Sequence, residues 1–182
     1  GGSLPIANGD ATGNMMGAGT YDATFAAGRN PTKLNHNVQY NNSVWAYRPQ
    51  YPLTINAVGR VGTSNAGLMT GGNGDVFFNN VFEYNCTLTG NCIGAWSAGG
   101  AATIQRDDMH FGAVGSQNAT ALFSGRTSPT NTTATEEYDG TNWSTGGTVI
   151  TARYVAGSTG TVNAGLLIGG NNASGTCLDD TE

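Results

Sequence analysis

The sequence predicts an all-β fold built from repeated units, and three observations support this prediction. A short phrase of Gly, then Thr or Ser, any residue, Asn or Asp, and Ala occurs four times, beginning at Gly19, Gly62, Gly115 and Gly160. Glycine accounts for 29 of the 182 residues, and the 3 Trp, 7 Tyr and 6 Phe residues recur in phase with it. A period of about 45 residues is typical of repeat architectures, in which each unit is one supersecondary structure.

The composition limits which classes of protein the chain resembles. Charge is sparse, with 7 Lys plus Arg against 12 Asp plus Glu and a net charge of −5. A nucleic-acid binder needs a basic surface that displaces counterions, so we expect no nucleic-acid partner. No apolar run reaches the roughly 18 residues of a membrane span, so we expect no membrane insertion. The many Asn, Ser and Thr residues favour an extracellular or virion-surface location.

Each unit is predicted to contain four antiparallel strands. The first strand precedes the phrase, as in residues 152–156. The phrase itself is a hairpin turn, in which Gly supplies a positive φ and Asn or Asp bonds its own backbone. The second strand is the apolar run that follows, and a pair of small residues ends it. That pair is Gly71-Gly72 in the second copy and Gly169-Gly170 in the fourth, whereas Arg29 and Arg126 are expected to replace the second Gly in the other two.

Aromatic residues mark the third and fourth strands of each unit. The third strand is expected to end at a Tyr, and the fourth carries a Trp. These pairs are Tyr40 with Trp45, Tyr84 with Trp96, and Tyr138 with Trp143. Between the members of the last pair, Asp139-Gly140 is a strong signal for a tight turn.

Stacking such sheets around an axis buries the faces that a single sheet leaves exposed. Four strands in about 45 residues is the arrangement of a β-propeller blade. The predicted units are residues 1–48, 49–100, 101–147 and an incomplete 148–182, or about three and a half blades. Thr181-Glu182 matches Thr135-Glu136, so the fourth unit stops before its Tyr and Trp. We expect either that the chain is a segment of a longer protein or that another subunit completes the last blade.

The Gly-Gly, Tyr and Trp spacing resembles the kelch motif of β-propellers. The match is tighter to kelch-like arrays that contain Thr-Ala-Arg, as at 151–153, and Thr-Glu-Glu-Tyr-Asp-Gly-x-x-Trp, as at 135–143. Such arrays are familiar from tail, fibre and other virion proteins of bacterial viruses and from bacterial surface proteins. The resemblance covers nearly the whole chain and is strongest over residues 99–182. It implies a non-enzymatic structural or recognition role, with other copies of the chain or other virion or surface proteins as partners.

One stretch departs from the repeat and is a candidate ligand-binding site. Residues 45–52 replace the usual Ser-x-Gly-Gly sequence after the Trp, and they contain Trp45, Tyr47, Arg48 and Tyr51. Aromatic rings beside an arginine stack on sugars or on partner proteins. Such a pattern is used by a lectin-like site for surface glycans or by a protein interface. The alternative is that these rings pack between or over the blades.

Two cysteines flank an expanded turn. Cys86 and Cys92 stand on either side of residues 87–91, so we expect a disulfide that stabilises the fold by roughly 2 kcal/mol in the chain-entropy model. It would imply an oxidising environment. The alternative is two free thiols in a reducing cell. Cys177 is left over, and a free thiol is expected there. The cysteines lack the paired spacing of a metal site.

The remaining polar groups give little sign of catalysis. Asp107, Asp108 and His110 stand together and are candidates for a cation site or for acid–base chemistry, although a solvated start of a strand explains them more simply. Asp10, Asp75, Asp179 and Asp180 stand in predicted turns and are candidates for weak calcium binding, although they form no clustered calcium-loop motif. A sialidase-like enzyme is a third hypothesis, but Asp139 to Trp143 has the wrong spacing for its sequence boxes. We therefore expect no catalytic residue and no cofactor.

Overall fold

The computed structural model describes residues 16–20, 23–27, 29–30, 32–33, 37–40, 45–53, 58–63, 65–73, 77–86, 94–108 and 112–182. Every regular element within these ranges is a β-strand, and the sheets are antiparallel, which confirms the all-β prediction. The described residues contain no helix that is long and apolar enough to cross a membrane.

The strands form three four-stranded sheets followed by a further hairpin. Sheet 1 contains β1 (Met16–Thr20), β2 (Ala23–Ala27), β5 (Asn37–Tyr40) and β6 (Trp45–Arg48), with the short ribbon β3 (Arg29–Asn30) and β4 (Thr32–Lys33) between β2 and β5. Sheet 2 contains β7 (Gly59–Gly62), β8 (Ala66–Thr70), β9 (Val81–Asn85) and β10 (Ala95–Ala98). Sheet 3 contains β11 (Ala113–Ser116), β12 (Ala119–Phe123), β15 (Ala134–Tyr138) and β16 (Trp143–Thr148), with the ribbon β13 (Arg126–Thr127) and β14 (Thr130–Asn131). Sheet 4 begins with β17 (Gly157–Thr161) and β18 (Ala164–Ile168).

Residues 180–182 run antiparallel beside β18, where Thr181 forms an isolated bridge with Ile168. The Glu182 N–H donates to the Leu167 carbonyl (2.9 Å), and the Leu167 N–H donates to the Glu182 carbonyl (2.8 Å). This pairing places Glu182 opposite Leu167, as Glu136 lies opposite Leu122 in sheet 3. The sequence match between Thr181-Glu182 and Thr135-Glu136 is therefore confirmed by the register.

The repeated phrase forms the hairpin turn between the first two strands, as predicted. Gly62, Gly115 and Gly160 have φ values of 106°, 105° and 117°. A Cβ added at these glycines would lie 2.1–2.2 Å from the carbonyl oxygen of the Ala that opens the next strand. Only glycine fits there because both the backbone conformation and the close approach exclude a side chain.

The structure corrects the prediction for the pair of small residues that follows the second strand. Gly71 and Gly72 have φ values of 65° and 101°, and Ser124 and Gly125 have nearly the same values of 55° and 99°. Ser124 thus replaces the first Gly of the pair, and Gly125 is the second. The prediction that Arg126 replaces the second Gly was wrong by one residue, because a serine rarely adopts this left-handed conformation and was not recognised as the counterpart of a Gly.

Hydrogen bonds hold Ser124 in this unusual conformation. Its Oγ accepts the N–H of Arg153 (2.8 Å) and lies 2.6 Å and 2.7 Å from the carbonyl oxygens of Thr132 and Arg153. The neighbouring Gly125 N–H donates to the Arg153 carbonyl (2.9 Å). Gly72 makes the same bond to the Arg106 carbonyl (2.9 Å), so this contact joins sheet 2 to the segment leading into sheet 3, and sheet 3 to the segment leading into sheet 4.

The tight turn and the last two strands of sheet 3 also follow the prediction. The Asp139 side chain accepts the N–H groups of Thr141 and Asn142, both at 2.8 Å, and Gly140 has a φ of 94°. Strand β15 ends at Tyr138, and β16 begins at Trp143. The two rings stack with centroids 5.0 Å apart.

The core lies where the sheets pack against one another. Strand β7 contacts β1 and β11, and β11 contacts β17, so the first strands of consecutive sheets are neighbours. The side chains of the main cluster are 0–8 % exposed, and they are Val61, Leu68, Val81, Ala102, Ala113, Leu122 and Tyr138.

Aromatic side chains connect each sheet to the one before it. The Trp143 indole N–H donates to the Gly100 carbonyl (2.8 Å), and the Trp96 indole N–H donates to the Pro49 carbonyl (3.0 Å). The Tyr138 hydroxyl donates to the Glu83 carboxylate (2.5 Å). The two indole bonds reach the residues that follow the fourth strand of the preceding sheet, and the Tyr138 hydroxyl reaches the third strand of sheet 2.

Candidate functional site

Two buried arginines have a structural role, and their charges are neutralised by ion pairs. The Arg106 guanidinium pairs with the Glu136 carboxylate and donates to the Ser124 carbonyl (2.8 Å). Arg153 pairs with Glu182 and donates to the Gly169 carbonyl (2.9 Å), and Gly169 is the counterpart of Ser124 in sheet 4. These arginines hold the segment that enters each sheet against its second and third strands.

One charged group remains open to solvent at the junction of three sheets. The Arg126 side chain is 41 % exposed, and it begins the β13–β14 ribbon of sheet 3. Its guanidinium carbon lies 5.7 Å from the ring centre of Phe77 and 6.0 Å from that of Tyr154. Phe77 follows the second strand of sheet 2, and Tyr154 precedes the first strand of sheet 4. We call Asn73, Phe77, Asp107, Asp108, Arg126 and Tyr154 the Arg126 surface.

Two aspartates fix the position of the guanidinium. The backbones of Asp107 and Arg126 bond to each other through two hydrogen bonds of 2.9 Å. The Asp107 carboxylate accepts the Asn73 amide (2.7 Å) and the Arg126 Nε–H (3.3 Å), and Asp108 Oδ2 lies 3.3 Å from Arg126 Nη2. Burial raises the pKa of the Asp107 carboxyl, and the hydrogen bond from Asn73 opposes that rise. Asp107 is thus a buried anchor, whereas Arg126 faces solvent.

The backbone near this surface adopts two sparsely populated conformations. Asp108 has a φ of 50° and Val155 a φ of 55°. The Val155 N–H donates to the Asp108 carbonyl (2.7 Å), so the two positions stabilise each other. A β-branched residue in this region costs free energy and concentrates at functional positions, which makes the surrounding surface a candidate site.

The arrangement suits recognition by stacking and hydrogen bonding. A guanidinium presents a planar set of donors, and the neighbouring rings present apolar faces. Among residues 77–86, 94–108, 112–182 and the other described ranges, no group of three or more His, Cys, Asp and Glu is placed to hold a metal ion.

The candidate ligand-binding site predicted in residues 45–52 is exposed at one of its aromatic residues and buried at another. Tyr47 is 56 % exposed, as a binding residue must be. Tyr51 is 2 % exposed and packs edge-on against Phe82 (5.2 Å) and Trp96 (5.1 Å), so the prediction that it binds ligand was wrong. It is buried because Phe82 occupies the position that Glu136 has in sheet 3, and an aromatic pair thereby replaces the ion pair. The side chains of Trp45 and Arg48 lie outside the described residues.

The other predicted sites have different outcomes. His110, Asp10, Asp75 and Cys92 lie outside the described residues, so the Cys86–Cys92 disulfide stays a prediction. Cys177 is an exposed free thiol, as expected. Asp180 accepts two hydrogen bonds from Arg153 (3.0 and 2.9 Å), and these lower the pKa of its carboxyl. The carboxylate is therefore already bound within the scaffold.

Sequence reasoning missed Arg126, Phe77 and Tyr154 as parts of one surface. Arg126 had stood out only as a departure from a Gly-Gly pair. That departure was the one sign of the site in the sequence. Arg126 directly follows the pair of small residues and begins the β13–β14 ribbon, from which its side chain reaches residues of the neighbouring sheets.

Comparisons with known proteins bear on the fold alone. No family model matches the chain, and no curated protein matches it. Among solved structures the chain is similar to YjhT, with 17 % identical residues and a TM-score of 0.65. The match covers 81 % of this chain and 48 % of YjhT, so the chain spans about half the length of that structure. At this identity the likeness supports a shared fold.

Proposed function

We propose that the chain is an array of kelch-like β-propeller blades that serves as a non-enzymatic recognition module of an extracellular assembly. The most suitable setting is a fibre or tail component of a bacteriophage virion, which contacts a host surface or other virion proteins. The sequence resemblance over residues 99–182 supports this setting. In this proposal the four repeated units are successive blades, and the segments before their first strands and after their second strands carry the binding surface.

One observation carries the proposal: buried charges serve the scaffold, and the solvent-exposed Arg126 is held in place between two rings. Arg106 and Arg153 have side-chain exposures of 1 % and 0 %, against 41 % for Arg126. A rigid array with an exposed, prearranged polar surface suits binding, because little ordering entropy is lost when a ligand docks.

Localisation in native particles tests the assembly role. Antibodies against the chain are applied to intact and detergent-stripped virions or cell envelopes from the source, and gold label is counted by electron microscopy. The proposal predicts label on the outer surface of particles or cells, confined to a fibre, tail or envelope structure. Label only in the soluble contents of lysed cells would contradict the proposal.

A second candidate, a lectin-like glycan-binding module, is favoured by the chemistry of the Arg126 surface. Aromatic faces and a fixed polar fork are the groups that bind the apolar faces and hydroxyls of sugars. A glycan array distinguishes this candidate, since it predicts saturable binding to a defined set of glycans. Binding that is lost in Arg126→Ala assigns the Arg126 surface, and binding that is lost in Tyr47→Ala assigns the platform near Tyr47.

A further inference from the structure

Asp108 and Arg126 present a hydrogen-bond acceptor and a donor side by side on the Arg126 surface. The Arg126 side chain is 41 % exposed and the Asp108 side chain 21 %, whereas the Asp107 side chain is 1 % exposed. An ionised carboxylate accepts hydrogen bonds, and a guanidinium donates them. Asp108 Oδ2 lies 3.3 Å from Arg126 Nη2, so a ligand that reaches one of these groups also reaches the other.

Backbone contacts hold Asp108 in this position. Its φ is 50°, and its carbonyl accepts the Val155 N–H (2.7 Å) from the segment that enters sheet 4. Asp and Asn adopt this left-handed conformation more readily than other residues with a side chain, because their short polar groups can bond locally. The backbone that carries the Asp108 carboxylate is therefore fixed by the fold, and an asparagine would keep the same conformation.

Apolar groups lie beside this polar pair. Phe77 and Tyr154 are half-buried, and their ring centres lie 5.7 Å and 6.0 Å from the guanidinium carbon of Arg126. Val155, next to Tyr154, is 41 % exposed. A sugar ring combines apolar C–H faces with hydroxyl groups, and each hydroxyl both donates and accepts hydrogen bonds. A donor, an acceptor and apolar faces in one place therefore match a sugar ring with free hydroxyl groups.

The charges of the Arg126 surface oppose the binding of an acidic sugar. The guanidinium pairs with Asp107 through Nε and with Asp108 through Nη2, both at 3.3 Å, so two carboxylates stand against one cation. The chain as a whole has a net charge of −5. A ligand carboxylate that approached Arg126 would lie close to Asp108, and like charges brought together at an interface exclude the wrong partner. An uncharged ligand meets no such repulsion.

We infer that the Arg126 surface binds an uncharged sugar residue through its hydroxyl groups, and that Asp108 excludes the corresponding uronic acid. One sugar hydroxyl donates to the Asp108 carboxylate, and a second accepts an N–H of the Arg126 guanidinium. The apolar face of the sugar lies against the rings of Phe77 and Tyr154. This inference rests on the lectin-like function proposed for the same surface, and it adds the class of ligand and a residue that determines specificity.

Matched pairs of immobilised oligosaccharides test the inference. The two members of a pair differ only in the terminal residue, which is a hexose in one and its uronic acid in the other, so that a carboxylate replaces the C6 hydroxymethyl group. Equilibrium binding of the intact chain is measured by biolayer interferometry at low ionic strength. In the pairs that the chain binds, the hexose member should bind at least about tenfold more tightly. This preference should shrink in 1 M salt, where exposed charges are screened beyond about 3 Å.

Asp108→Asn is the variant that isolates the charge. The amide still offers an acceptor and tolerates the left-handed backbone, but it removes the negative charge. Affinity for the hexose member should therefore stay within about threefold of the parent chain, while the preference over the uronic acid should fall below about threefold. Circular dichroism and the melting temperature should stay close to those of the parent.

Arg126→Ala locates the site, and the outcomes separate the inference from the function on which it rests. This variant should bind the hexose member at least about tenfold more weakly than the parent. Equal or tighter binding of the uronic acids by the parent, an unchanged preference in Asp108→Asn, or hexose binding that Arg126→Ala does not weaken would overturn the inference and leave a glycan-binding function standing. Absence of binding to every oligosaccharide would contradict the lectin-like function itself, and the inference with it.

Discussion

Arg106 and Glu136 form an ion pair inside sheet 3, and each side chain is 1 % exposed. The carboxylate also accepts the Thr103 N–H (2.7 Å), and the guanidinium donates to the carbonyls of Ser124 (2.8 Å) and Ala134 (3.1 Å). The pair therefore fastens the segment before the first strand to the second and third strands of the same sheet. Arg153 and Glu182 repeat this role in sheet 4.

Breaking the Arg106–Glu136 pair should destabilise the protein strongly. Arg106→Met leaves the Glu136 carboxylate buried without its cation, and removing one partner of a buried pair typically costs about 3–5 kcal/mol. The free energy of unfolding, measured by urea denaturation, should fall by that amount.

The double variant Arg106→Met/Glu136→Leu is the control for this loss. Sheet 2 already replaces the pair with Tyr51 and Phe82, whose rings lie 5.2 Å apart. The double variant should therefore recover most of the stability, since an apolar pair of similar volume is often neutral. A single variant as stable as the parent would show that the pair is not needed.

Gly100 and Gly147 hold equivalent positions after the Trp of sheets 2 and 3, yet they should respond differently to the same substitution. Gly100→Ala places a Cβ 2.6 Å from the Thr141 carbonyl and should destabilise by about 1–3 kcal/mol, as overpacked sites do. Gly147→Ala meets no atom within 4 Å and should change the unfolding free energy by less than about 0.5 kcal/mol. Equal losses in thermal or urea unfolding would contradict the stacking of sheet 3 on sheet 2.

Alkaline pH should weaken the junction between sheets 2 and 3. Burial raises the pKa of Tyr138 to about 12, and the hydrogen bond to Glu83 adds to the rise. In the unfolded chain a tyrosine ionises near pH ~10. Because the folded state favours the neutral phenol, this contribution to stability is complete below pH ~10 and is lost as the pH rises toward 12.

The alkaline effect is measured by comparing the parent chain with Tyr138→Phe. Urea midpoints of the parent should fall more steeply with pH over that interval than those of the variant, which has no phenol to ionise at position 138. Spectroscopic titration should also show one tyrosine fewer ionising near pH 12 in the variant. Identical pH dependence in the two proteins would rule out this role for Tyr138.

Acid should weaken sheet 4 through Asp180. Its hydrogen bonds from Arg153 lower the pKa of the Asp180 carboxyl, so its contribution to stability is present above the ordinary pKa and disappears as the pH falls through the lowered value. Asp180→Asn should remove this part of the pH dependence. Thermal melting of both proteins across the acidic range provides the comparison, and parallel curves would contradict the assignment.

The features that local sequence could predict were those set by single residues or short turns. The turn glycines Gly62, Gly115 and Gly160, the Asp139-Gly140 turn and the strands ending at Tyr138 all follow from backbone preferences and spacing. The prediction failed at Ser124, because a hydroxyl bonded to distant carbonyls stabilises a conformation that serine does not favour locally.

Features that depend on distant contacts were not accessible in this way. The Arg106–Glu136 pair joins residues 30 positions apart, and nothing near either residue indicates its partner. The sequence around Tyr51 suggested an exposed aromatic ring. The ring is buried because it packs against Phe82, which is distant in sequence. The Arg126 surface needs residues from three sheets, so it becomes visible only when the sheets are packed together.

Recognition by the Arg126 surface is tested most directly by equilibrium binding of three proteins, the parent chain and two variants, to surface polysaccharides and envelopes of bacterial hosts. The parent chain and Gly147→Ala should both show saturable binding, with equal affinity. Arg126→Ala should bind at least about tenfold more weakly, since a charge-assisted contact of this kind contributes about 1.5–3 kcal/mol. Failure of all three proteins to bind, or equal binding by Arg126→Ala, would contradict the claim that the Arg126 surface is a recognition site.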